Sequence, residues 1–248
     1  MVAIAASWVL NLKLTRDLVV AVSRATIQLL AVGFGLSLLG SASTQLWAWI
    51  WAAGMIAVST SVLARRSPPE VRANRRVPVF GGLLLATCAA GTALLSFGLG
   101  VFEYKPITML VVVGLTIGNA MPSAVLAIKQ THTAAIDRSG EIEALLASGA
   151  TRKQAVSYLA QRPAKLALTA QVERTKVVGL IALPGAMAGL LLAGTDPIEA
   201  VMTQLFVMVM VLGSVALAVI AMSLTIASLV VAPDLRIASW LRSSTAEL

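Results

Sequence analysis

AVMTQLFVMVMVLGSVALAVIAMSLTIASLVV, residues Ala200–Val231, runs for 32 residues without one Asp, Glu, Lys or Arg. As a helix it is about 48 Å long, at about 1.5 Å per residue. A bilayer core is only about 30 Å thick, so the stretch is long enough to tilt or to project beyond the lipid. Similar runs recur upstream at Leu18–Leu39, Leu46–Ala64, Val79–Gly100, Ile107–Ile128 and about Val177–Ala193. The first run, Met1–Leu12, makes only about 18 Å of helix. It reads as an incomplete first span or an interfacial segment. It lacks the basic start and the cleavage site of a signal peptide.

Composition agrees. Hydrophobic residues make up 58% of the 248 and charged residues 12%, where a soluble domain carries about 25% charged. Mean hydropathy is +0.89. Aromatics are only 5% and the apolar runs do not alternate, which excludes a β-barrel with its aromatic girdles. The expected fold is all-α: one polytopic bundle over residues 1–248, of seven spans, or six if the first stretch does not cross.

The net charge of +8 is first a statement of topology, not of nucleic-acid binding. Every Lys and Arg except Lys105 and Arg24 falls in four regions. These are Lys13–Arg16, Arg65–Arg76, Lys129–Lys176 and the tail with Arg236 and Arg242. Placing all four in the cytoplasm gives an outside N-terminus and a cytoplasmic C-terminus. The sole cysteine, Cys88, allows no disulfide within the chain and reads as a small buried side chain.

The link 129–176 is long for a bundle and carries its own pattern. Helical spacing covers Glu141–Ser148, Gly149–Ala150 breaks it, and Thr151 with Gln154 spells a capping box. A second helix is expected from about Arg152 to Gln161, where Pro163 ends or restarts the pattern. On pattern alone this is a coupling device for a soluble partner or a plain surface hairpin.

Within the spans, Arg24 costs about 2.5–3.5 kcal/mol at a helix centre and needs a partner or water. Gln28 lies one turn on. Arg24 either snorkels or pairs structurally with Glu173, or it lines the pathway or forms a gate salt bridge with Glu173; Gln28, Asn119, Met121 and Met187 are the further pathway candidates. Gly114 and Gly118 form one GxxxG, near Asn119 and Pro122; Gly185 and Gly189 form another, beside Pro184. These read as packing seams, hinges, or both. Met121 and Met187 sit beside the prolines, either as apolar filler or as soft-metal ligands. Asp196-Pro197 reads as the start of the last span.

The chain has no Walker A motif and no Gly-Lys pair, so ATP and Mg chemistry would have to reside in a partner. One histidine, His132 in the polar link, supports neither a zinc site nor a catalytic triad. An ion-driven carrier or channel would call for ionisable groups at mid-membrane, and Arg24 is the only one.

Five strings are similar, in order and spacing, to one family. They are RATIQL (Arg24–Leu29), GNAM (Gly118–Met121), LLASGATRKQA (Leu145–Ala155), KVVGLIALPGAMAG (Lys176–Gly189) and AGTDPIEAVMTQ (Ala193–Gln204). The chain resembles the FetB-type iron-export permeases and the plant aluminium-tolerance permeases over about 24–222. That resemblance implies the permease subunit of an ABC transporter, in the cytoplasmic membrane in bacteria. It implies a separate ATPase subunit and export of a metal, iron first, with import of another small solute as the alternative. A homodimer of permeases with two ATPases is expected. Glu143, Leu145, Leu146, Gly149, Ala150, Thr151 and Gln154 match the segment that docks on the ATPase. Thr169–Glu173 departs from the family's Pro-Thr-Val-Asp string, and no Asn stands near Ser59–Ser61, which puts substrate choice in doubt.

Overall fold

The computed structural model describes residues 15–41, 45–74, 76–179, 183–238 and 241. The Met1–Leu12 stretch, Lys13, Arg75 and Arg242 lie outside the described residues. The described residues are helical, with no named strand, as expected for a helical membrane bundle.

Contacts divide the chain into two units, 1–49 and 50–248. The first holds α1 (Thr15–Ser41) and the beginning of α2 (Gln45–Arg66). Val19–Gly35 is its apolar stretch, and the side chains from Val19 to Phe34 are exposed.

The second unit continues α2 and adds α3 (Pro69–Ala73), α4 (Arg76–Gly98), α5 (Pro106–Asp137) and α6 (Ser139–Ala147). It closes with α7 (Arg152–Val177), α8 (Gly185–Leu192) and α9 (Pro197–Val230). Among the described residues, four helices are long and apolar enough to cross a membrane: Leu46–Arg66, α4, α5 and α9. The unit is built on α9, which packs against α5, α7 and α4; α5 also packs against α4 and α7. A large apolar core joins them through Leu63, Leu85, Ile128, Val219, Met222 and Ile226. The outer faces keep Val79, Leu83, Leu94, Leu205 and Leu217 exposed. Faces of that kind suit lipid and would be a liability in water.

Local signals explain the helix ends. Asp196 caps α9 as expected, its carboxylate accepting from the N–H of Ile198 at 2.9 Å and of Glu199 at 3.4 Å. Pro197 takes the first helical position, where a missing N–H costs nothing. Small residues set one close crossing: a Cβ on Gly82 would lie 2.3 Å from Thr60 Oγ1.

Three expectations change. First, α5 does not stop at Ile128 but continues to Asp137, so His132 is not in a polar loop. It is buried, its Nε2 3.3 Å from Glu70 Oε2 at the foot of the bundle. Pro122 is absorbed inside this helix, where Asn119 donates to the Leu115 carbonyl at 2.8 Å. Second, Pro163 does not end the second loop helix: α7 runs through it to Val177. A proline there costs about 3 kcal/mol, but Ala155, Leu159, Ala160, Pro163 and Ala167 are all buried along the helix. That continuous buried face holds the helix together past the lost hydrogen bond. Third, residues 177–193, read as the sixth span, are not one helix. Val178 is extended, Gly179 has φ +88, and the eight-residue α8 starts only after Pro184. The residues 180–182 between them lie outside the described set.

Candidate functional site

The segment below the spans is built from α6, a corner and the first turns of α7. α6 ends in a two-bond cap: Gly149 N–H donates to Leu146 O at 3.1 Å and Ala150 N–H to Leu145 O at 3.2 Å. That cap needs a left-handed residue, and Gly149 at φ +92 supplies it without a Cβ penalty. Two residues on, the capping box read from Thr151 and Gln154 is present. Thr151 N–H donates to Gln154 Oε1 at 2.8 Å, and Gln154 N–H to Thr151 Oγ1 at 3.4 Å. The corner is thus fixed from both sides, by backbone–backbone bonds before it and by side-chain capping bonds after it.

α6 has two faces. Ile142 is fully buried, and Leu145 and Leu146 pack half-buried against the same cluster as Ala135, Leu159, Ala227, Val230 and Leu241. Glu143, Ala144, Ala147, Ser148 and Gly149 are exposed, as are Thr151, Lys153 and Gln154, while Ala150 is half-buried. The two leucines therefore hold the segment to the bundle, and the small residues beside them form the outward face.

A polar clamp at the start of α6 ties that helix to α7. Arg138 Nε donates to Glu141 Oε2 at 2.8 Å, and Tyr158 Oη donates to the same oxygen at 3.0 Å. Arg138 also donates to the Tyr158 hydroxyl and lies 4.6 Å from the centre of its ring. Accepting first from Arg138 and then from Tyr158 holds the Glu141 carboxyl below the usual carboxylate range. The same bond pushes the Arg138 guanidinium up.

Arg24 and Gln28 are exposed on α1, in the first unit. Glu173, in the second, accepts from Lys176 Nζ at 2.7 Å. Asn119 bonds within its own helix, and Met121 packs against the main core. Met187 is half-buried on α8. Among the described residues no group of three or more His, Cys, Asp or Glu could hold a metal. Of the paired glycines, a Cβ on Gly114 would meet Met55 Cε at 3.1 Å, but one on Gly118, Gly185 or Gly189 would meet nothing within 4 Å.

Sequence reading missed three features. Thr92 and Ser214 pair their hydroxyls at 3.1 Å between α4 and α9, beside buried Cys88. Glu70 meets His132, two residues far apart in the chain. Arg152, taken only as a loop charge, reaches the carbonyl end of α9. Only Arg152 had a usable signal, since it stands immediately after a helix-capping threonine.

Comparison with known proteins places these features in a family. The model of the "Uncharacterised protein family (UPF0014)" matches residues 1–230. The chain is 32% identical over 215 residues to the "UPF0014 membrane protein STAR2" of Oryza sativa subsp. japonica, covering 86% of this chain and 73% of that one. It is 30% identical over 217 residues to "Protein ALUMINUM SENSITIVE 3" of Arabidopsis thaliana, covering 86% and 77%. It is 31% identical over 220 residues to the "Probable iron export permease protein FetB" of Escherichia coli, covering 88% and 83%. No solved structure matches. The shared length takes in the apolar helices and the segment beneath them alike, and the chain belongs to the UPF0014 family of integral membrane proteins.

Proposed function

We propose that this chain is the membrane-spanning permease subunit of an ABC-type transporter. It works as a homodimer with two separate ATP-binding subunits, which supply ATP and Mg chemistry. The observation that carries this reading is the α6–Gly149–α7 segment. It is a short helix with a buried inner face, a capped corner and an outward face of Glu143, Ala144, Ala147, Thr151 and Gln154. Bonding on both sides of the corner suits a segment that receives force, because force is passed on only by a part that does not bend.

The positive-inside pattern favours the cytoplasmic side for this segment. The cargo class rests on the relative named as an iron export permease. A metal ion moved outward, iron first, is the cargo we propose.

The test is isolation of the tagged permease from its native membrane. An ATP-binding subunit should remain bound through detergent extraction. Ala144→Arg and Ala147→Arg place a large charge on the outward face without touching the inner cluster. They should release that subunit while the permease stays folded. Retention of the ATPase by both variants would refute the docking assignment.

A further inference from the structure

Arg152 occupies the first helical position of α7, one residue after the Thr151 cap. Its guanidinium leaves its own helix. Nε donates to the Val231 carbonyl at 2.9 Å and Nη2 to the Ser228 carbonyl at 2.7 Å, at the C-terminal end of α9. Both acceptors have lost their helical donors. The N–H of Ala232, which would have served Ser228, donates to Arg236 O at 2.9 Å instead. The N–H of Leu235, which would have served Val231, donates to Ala232 O at 3.1 Å. Pro233 follows the helix end, and the chain folds back so that Val231 bridges Ile237. Two orphaned carbonyls at the negative end of a helix dipole make a strong site for a planar cation with parallel donors. Arg152 fills it, half-buried.

We infer that Arg152 is the strut that transmits motion of the docking segment to α9, the helix on which the bundle is built. This rests on the docking reading above and adds the residue through which docking acts. The path is short and stiff. α6 ends in the Gly149 cap, the Thr151 box starts α7, and the next side chain grips the end of α9. Apolar packing runs alongside, through Ile142, Ala155, Ala227 and Val230. Packing of that kind can slide, whereas a two-point hydrogen-bonded fork resists both sliding and rotation. Lysine cannot reproduce it, since its ammonium is a single point charge.

The experiment is hydrogen–deuterium exchange on the permease–ATPase complex, nucleotide-free and trapped with ATP and orthovanadate. Wild type should show protection of 139–149 by the ATPase, and a nucleotide-dependent change in exchange along α9. Arg152→Gln should keep the protection at 139–149 and lose the change along α9. A purely structural role would raise exchange at the end of α9 in both states and leave the nucleotide-dependent change in place. Arg152→Lys, which keeps a positive charge at the helix end, is the second variant. It should assemble and also lose the change, and it carries the test if Arg152→Gln fails to fold. Wild-type protein without protection at 139–149 would remove the docking reading itself. Protection present, with the full α9 change in either variant or with no α9 change in wild type, would overturn the strut alone.

Discussion

Gly82 shows how much one missing methyl can decide. Its Cα faces Thr60 so closely that a Cβ would sit 2.3 Å from the hydroxyl oxygen and 2.9 Å from the methyl carbon. Gly82→Ala should therefore lower stability by about 1–3 kcal/mol, the usual range for overpacking a tight core. A thermal melt in detergent reads it. Thr60→Ala removes both of the closest atoms, so the double variant should recover part of the loss, and additive losses would show that the two residues do not meet. Chemical identity alone made a few residues legible. Asp196 before a proline and Thr151 three before a glutamine announce helix starts from local spacing, and both are capped as expected. The Glu70–His132 contact at 3.3 Å and the Thr92–Ser214 pair at 3.1 Å were not legible. Each joins residues on different helices, and no local pattern records such a meeting.

Among the elements, the α6–Gly149–α7 segment has the most to lose from small changes. Gly149→Ala puts a side chain at φ +92, a strain of about 1–3 kcal/mol. It should weaken retention of the ATPase more than it lowers the melting temperature, because it misdirects α6 without emptying the core. Unchanged retention would show that the corner's geometry is irrelevant to docking. Leu145→Asp should behave in the opposite way. Its half-buried side chain packs against the inner cluster, where a charge loses part of its hydration and the apolar contact is lost. The permease itself should melt earlier, and a normal melt would contradict the inward placement of Leu145. The length of α7 escaped sequence reading because Pro163 is a strong local stop signal, whereas the buried face that overrides it is a tertiary fact. The same holds for α5, whose continuation past Ile128 is supported by burial of Thr131, His132 and Ala135. The break before α8 has a local cause, since Gly179 is left-handed and Pro184 cannot continue a helix from its amide.

At the scale of the whole molecule, apolar composition set the class and the positive charges suggested the side. Four long apolar helices with exposed outer faces agree with the class. The remaining question is energetic. This chain carries no nucleotide-binding motif, yet it presents a stiff segment fastened to the foot of its central helix. In the proposed transporter the work comes from a partner and enters through α6. The most direct measurement is accumulation of radioactive iron against its gradient in vesicles that hold the permease, with and without the ATPase subunit and ATP. The account predicts accumulation only when permease, ATPase and ATP are all present, and its loss in Ala147→Arg. Accumulation by the permease alone, in vesicles free of nucleotide, would contradict it.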